Sequence, residues 1–175
     1  MEKANLLTRQ MKLALQAVHT QVQFIPNLRT VACLEWFSPL MYAGHWMPTL
    51  IKKAGGINVF GREQAPSQTL KWQELLDQNP DVILINLRGF SINQSIAELP
   101  HLLASPGWET LRAVADEQVY ILDGYHYFNR PGPRIVDSVE MLGEILHPEL
   151  FETKYHSIGW INLNEVMKVG ELGSI

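Results

Sequence analysis

Two short stretches hold most of the residue types that do chemistry in this sequence. The first brings Glu35, Trp36, Phe37, Tyr42, His45 and Trp46 within twelve residues. Broad ring faces cover a large flat ligand without hydrogen bonds, while a carboxylate or imidazole fixes its orientation. The same rings can cap a sheet and pack on the next helix, a role that competes most strongly at Phe37 and Trp46. The second stretch, 123–134, contains Tyr125, His126 and Tyr127, which can offer nitrogen or oxygen to a metal or stack on a ring system. Phe128 is read as core. Arg130 and Arg134 flank a helix start, where the macrodipole disfavours cations by about 0.3–1 kcal/mol. An internal carboxylate such as Asp123 or Asp137, or an anionic ligand or partner group, is expected to offset them.

Elsewhere the chemical signals are sparse. There is no Gly-x-Gly-x-x-Gly, no Gly-Lys-Ser/Thr phosphate loop and no Gly-x-Ser-x-Gly nucleophile elbow. The histidines stand at 19, 45, 101, 126, 147 and 156, with no helical three- or four-residue pair to start a zinc site. No catalytic set, metal-ligand set or intrinsic cofactor is assigned. The single cysteine, Cys33, lies in the apolar run Val31-Ala32-Cys33-Leu34 and is read as a buried packing residue.

A chain of 175 residues favours one domain, since domains usually span roughly 100–200 residues. With 46% hydrophobic and 18% charged residues, disorder is excluded. A net charge of −4 excludes a generally basic nucleic-acid binder. No stretch is apolar for long enough to span a membrane. The start lacks the clean apolar block of a secretory leader.

The elements that must position the two stretches follow from periodicity. Leu7, Met11, Leu15, Val18 and Val22 recur at three- and four-residue steps and predict a long amphipathic helix over 3–22. Its apolar stripe must lean on something, in part outside this chain. Strands are predicted at 28–34, 57–60, 81–86 and 119–122, separated by helices at 46–54, 70–78, 94–103, 108–116 and 134–146. The run Val82-Ile83-Leu84-Ile85 lacks alternation, the mark of a strand buried on both faces in a parallel sheet. Strands alternating with helices predict an α/β fold, a three-layer Rossmann-like lobe with a mostly parallel sheet, preceded by the long helix. Ligands bind such sheets outside the carboxyl ends of the strands, here the loops 35–46, 88–93 and 123–130. Residues 151–175 show no strong period and are expected to form a weakly structured tail, with either a weak helix at 164–169 or disorder.

At these loops the sequence resembles a family. Glu35-Trp36-x-x-Pro39, then Ala43-Gly44-His45-Trp46-x-Pro48, Ala54-Gly55-Gly56, Asn79-Pro80-Asp81-Val82-Ile83 and Tyr127-Phe128-Asn129-Arg130-Pro131-Gly132-Pro133-Arg134 follow one another as in the cobalamin and ferric-siderophore class of ABC-transporter substrate-binding proteins. The resemblance covers about residues 3–150. It implies two α/β lobes joined by a rigid helix, with a metal chelate such as cobalamin or a ferric siderophore held between them. Residues 1–26 would then be the interlobe connecting helix and 27–150 the C-terminal lobe, with the N-terminal lobe missing. The ligand-facing residues it implies are Glu35, Trp36, His45, Trp46, Tyr125, His126, Tyr127 and Arg130. Glu74 matches an acidic residue that docks such proteins on an ABC permease, if the alignment shifts by one. The resemblance implies a periplasmic or extracytoplasmic site of action, although the missing leader leaves the cytoplasm open.

Two other readings compete. One is an intracellular corrinoid or haem-type sensor or chaperone. The other is a metal-dependent enzyme built on His126, Tyr125 and Glu35, which no nucleophile–base spacing favours.

Overall fold

The computed structural model describes residues 2–130 and 132–172. In chain order the elements are helix α1 (Glu2–Val22), strands β1 (Arg29–Phe37) and β2 (Leu40–Tyr42), helix α2 (Met47–Lys53), strands β3 (Gly56–Asn58) and β4 (Gln68–Thr69), and helix α3 (Trp72–Gln78). Strand β5 (Val82–Ile85), helix α4 (Ile92–Leu103), a 3-10 turn (Trp108–Thr110) and helix α5 (Arg112–Ala115) come next. Strand β6 (Val119–Leu122), a π-helical turn (Gly124–Phe128), helix α6 (Ile135–Leu146), strand β7 (Trp160–Asn162) and helix α7 (Leu163–Leu172) complete the order.

The sheet runs β4-β2-β1-β5-β6-β7, with β3 beside the first part of β1. The centre is parallel: β1 pairs with β3 and β5, and β5 with β6. The margins are antiparallel, through β1–β2, β2–β4 and β6–β7. Every residue of β5 and β6 is buried, which is why their sequences do not alternate. Side chains nevertheless take opposite faces in turn. Val31, Cys33, Val82, Leu84 and Leu122 join the core under α1, α2 and α6. Ala32, Leu34, Ile83, Ile85 and Ile121 join the one under α3, α4, α5 and α7. The result is the three-layer α/β lobe expected from the pattern.

Helix α1 is seated by its last turns only. Val18 and Val22 are buried, whereas Leu6, Leu7 and Leu13 are exposed. The apolar stripe thus runs past the body that covers it.

Four segments differ from the sequence expectation. β1 does not stop at Leu34 but continues to Phe37, because the hairpin partner β2 takes over its edge where β3 ends. β2 and β4 arise from segments expected as loop, being too short to show a period. The stretch expected as a weakly structured tail contains β7 and α7: β7 pairs with β6, and Leu163 and Val166 of α7 pack on the sheet.

The start of β1 and the residue before β5 are tied by a charged clasp. Thr30 donates to Asp81 Oδ2 from its N–H and its hydroxyl at 2.8 and 2.7 Å, and the Asp81 N–H returns a bond to Thr30 Oγ1 at 2.9 Å. Arg112 Nη1 reaches Asp81 Oδ1 at 2.5 Å. Burial acts to raise the Asp81 pKa, but the Thr30 bonds and the Arg112 charge outweigh it and hold the carboxyl below its ordinary value. A depressed folded-state pKa stabilises above the unfolded value and the gain disappears as pH falls through the folded one. Asp81→Ala is therefore expected to cost about 1–3 kcal/mol at neutral pH, the price of orphaned donors. In urea titrations the acid-side slope between about pH 5 and pH 2 should be shallower for Asp81→Asn than for wild type. Parallel slopes would contradict the clasp.

Candidate functional site

Pairing between β1 and β2 slips by one residue between Leu34 and Trp36, so Glu35 is the extra residue of a β-bulge. Bulges re-aim side chains and recur beside binding sites. Here the bulge delivers a carboxylate to the carboxyl end of the sheet, where its neighbour on β5 leads into Asn86 and Arg88. Glu35 is 7% exposed and Asn86 is fully buried. Arg88 Nε donates to Glu35 Oε1 at 2.9 Å, and Nη2 forms an ion pair with the same oxygen at 2.9 Å.

Around this pair the mouth opens as two adjoining hollows. One, of about 290 Å³, is lined by Glu35, residues 43–47, Asn86, Arg88, Phe128 and Asn129. The other, of about 410 Å³, lies along Glu35, Trp36, Pro39, Met41 and Arg88. Trp36 is partly exposed, its indole N–H held by the Ser38 carbonyl at 3.0 Å and its ring set edge-on to Phe90. The Trp46 indole donates to the Phe128 carbonyl at 2.8 Å, pinning the start of α2 to the π-helical turn. Trp46 thus combines the packing role and the lining role between which the sequence left it.

The π-helical turn arranges the second stretch. Asp123 Oδ1 accepts the His126 N–H at 2.9 Å and Oδ2 lies 2.9 Å from His126 Nδ1. An ionised carboxylate only accepts, so the Nδ1 proton faces it and Nε2 is the free nitrogen of a half-exposed ring. Tyr125 is exposed beneath Arg130, whose guanidinium carbon is 4.9 Å from the ring centroid. Tyr127 is half-buried against Tyr155, with Arg134 at 5.8 Å over its face.

The expected internal carboxylate partners of the arginines are not found. Asp123 serves His126, and Asp137 accepts the Tyr155 hydroxyl at 3.2 Å. Among the described residues, neither Arg130 nor Arg134 is ion-paired with a carboxylate; ring faces take that place.

The structure therefore brings Glu35, His45 and Trp46 to one hollow and Trp36 to the next. Tyr125, His126, Tyr127 and Arg130 sit on the adjoining turn rather than in either lining. Glu74 stands apart: it is exposed at the start of α3, where its carboxylate accepts the Lys71 N–H at 2.8 Å. Three residues of the site were not named as such from the sequence. Arg88 and Asn129 lie in loops the sequence marks for ligand binding, and Asn86 carries one signal, a polar residue ending an unbroken apolar strand. Cys33 is confirmed as buried, and burial together with the Glu35 charge pushes its thiol pKa well up, which makes it inert. No group of three or more metal-binding side chains occurs among the described residues, and none of their helices is long and apolar enough to cross a membrane.

Comparison with known proteins gives three kinds of match. A family described as periplasmic binding protein matches residues 2–125. A vitamin B12-binding protein of Vibrio cholerae serotype O1 is 31% identical over 100 residues, 57% of this chain and 33% of the relative. Among solved structures, the periplasmic vitamin B12 binding protein BtuF of Vibrio cholerae superposes with a TM-score of 0.60 at 25% identity, over 77% of this chain and 50% of that one. An ABC transporter substrate-binding protein from Listeria monocytogenes EGD-e gives 0.72 at 20% identity, covering 84% and 58%. Staphylococcus aureus IsdE complexed with heme gives 0.71 at 18% identity, covering 83% and 58%. The chain spans a third of the curated relatives it matches and about half of these solved chains.

Proposed function

The chain belongs to the periplasmic binding protein family, and from that premise we propose that it is the C-terminal, ligand-holding jaw of a substrate-binding protein that delivers a metal chelate to an ABC importer outside the cytoplasm. The chelate is of the vitamin B12, ferric-siderophore or haem kind. The observation that supports this most is the open mouth at the carboxyl ends of β1 and β5. There two hollows of about 290 and 410 Å³ meet at the Glu35–Arg88 pair, with Trp36 partly exposed beside them and Tyr125 on the adjoining turn. Binding sites bury most of a ligand's surface. One jaw covers only a side of a macrocycle, so a second wall is required.

In this reading α1 is the connecting rod, and its uncovered Leu6, Leu7 and Leu13 face the N-terminal jaw. Glu35, Trp36, His45 and Trp46 form the floor. Tyr125, His126, Tyr127 and Arg130 form the rim, where Arg130 meets an anionic edge of the ligand or of the opposite jaw. His126 offers Nε2 toward the chelated metal, its ring orientation held by Asp123. Glu74 pairs with an arginine of the permease.

The test is a titration of cobalamin, cobinamide, haem and a ferric hydroxamate, followed by tryptophan fluorescence and NMR shifts. This chain alone is expected to bind its chelate with Kd of about 0.1–1 mM, and the chain joined to an N-terminal lobe at least ~100-fold tighter. Indifference of both forms to every chelate would refute the proposal.

A further inference from the structure

The floor of the mouth holds two polar atoms that lack a strong partner. Glu35 Oε2 and Asn86 Nδ2 are both buried without an oxygen or nitrogen partner among the described residues, the Asn86 amide having beside it only the Cys33 thiol, a weak acceptor. Their chemical identities are fixed by a chain of bonds. The Gly89 N–H, which can only donate, binds Asn129 Oδ1 at 2.7 Å, so Asn129 presents its NH2 group inward. That NH2 reaches Asn86 Oδ1 at 3.4 Å, which leaves Asn86 Nδ2 as the outstanding donor. Arg88 spends both its contacts on Glu35 Oε1, which leaves Oε2 as the outstanding acceptor. The two residues adjoin, because the Asn86 N–H bonds to the carbonyl of Leu34, the residue before Glu35, at 2.9 Å. Both line the same hollow.

We infer that Glu35 and Asn86 form a specificity-determining subsite for an uncharged carboxamide arm of the ligand. The inference rests on the chelate-capture reading and adds the chemistry of the arm. A carboxylate arm has no proton to give Oε2 and sets a second negative charge against Glu35 where water is scarce. An ammonium arm has no acceptor for the Asn86 N–H. A hydroxyl must serve both groups from one oxygen. An amide separates donor and acceptor on two atoms, as two groups on neighbouring strands about 4.8 Å apart require. Leaving such buried groups unpaired is what allows a polar site to reject an analogue strongly.

Two corrin rings with the same core and different arm ends separate the possibilities: dicyanocobinamide, whose arms are mostly amides, and dicyanocobyrinic acid, whose arms are carboxylates. Each is titrated into the nitrogen-15-labelled chain, following the side-chain NH2 signal of Asn86 in the two-dimensional amide spectrum. That signal is identified by its loss in Asn86→Asp. Wild type should prefer the amide ring by at least tenfold and shift the Asn86 signal with that ring alone; in Glu35→Gln and Asn86→Asp the preference should shrink. Should either variant fail to fold, the wild-type ratio and the Asn86 shift still decide. Equal affinity for the two rings overturns the subsite and leaves chelate capture standing. Silence toward both rings at millimolar concentration also overturns the subsite, and chelate capture then stands or falls by the wider titration with haem and the ferric hydroxamate.

Discussion

Glu144→Ala is expected to destabilise the chain by about 3–5 kcal/mol, as one buried and two part-buried donors are orphaned at about 1–3 kcal/mol each and partly recover water. Glu144 is 4% exposed on α6 and accepts three N–H groups: the Trp160 indole at 2.8 Å, Lys154 at 2.8 Å and Tyr155 at 3.2 Å. All three belong to the segment that carries the chain from α6 into β7. One carboxylate on a rigid helix therefore holds the last strand to the sheet. Against a total stability of about 5–15 kcal/mol this is a large fraction. A drop in melting temperature of roughly 6–20 °C follows. Glu144→Gln keeps an acceptor and the shape, so it should lose less than half as much. Chemical denaturation measures both, and hydrogen exchange should report the loss first at 153–162. If the alanine variant unfolds within 1 kcal/mol of wild type, with exchange there unchanged, Glu144 does not anchor the segment; the margin is set against the ordinary cost of about 0.5–3 kcal/mol for a substitution.

The same carboxylate explains why the C-terminal part was not legible in the sequence. Its structure is dictated by contacts with α6, such as the Phe151 ring against Gly143, where a Cβ would lie 2.9 Å from the ring. No local period records such a contact. β5 and β6 were legible because burial on both faces leaves an unbroken apolar run. α6 was legible because Val139, Leu142 and Leu146 keep helical spacing beneath α1 and α2. The placing of Glu35 was legible only as far as a strand end; the bulge that turns it into the mouth depends on how β1 pairs with β2, not on its own residue type. The rings of the site were conspicuous because aromatic residues stand out in a loop. Asn86 and Asn129 were not, since an asparagine in a loop is ordinarily a turn former. Their importance comes from a bond between residues 43 positions apart.

Gly124→Ala is expected to disable the mouth while leaving the fold in place. Gly124 begins the π-helical turn directly beneath the two asparagines. A methyl group there would stand 2.5 Å from the Leu87 carbonyl and 3.0 Å from Asn86 Oδ1, and closer still to Asn129 Oδ1. Two of those neighbours are the amides whose orientation presents the Asn86 donor, and the third is backbone, so little can yield except Asn129. Displacing Asn129 breaks its bond from the Gly89 N–H and releases the loop after β5. Overpacking of this kind costs about 1–3 kcal/mol in stability. The loss of chelate affinity should be larger, at least tenfold, because both the floor and the approach loop move. Gly132→Ala is the control: it lies in the same rim, and a Cβ there meets nothing within 4 Å among the described residues. It should bind as wild type does. Asn129→Ala should share the binding defect of Gly124→Ala with less loss of stability, since it removes the clamp without adding volume. Binding titrations paired with urea melts separate the two effects. Full affinity in Gly124→Ala would mean that the asparagine pair has no part in holding the ligand.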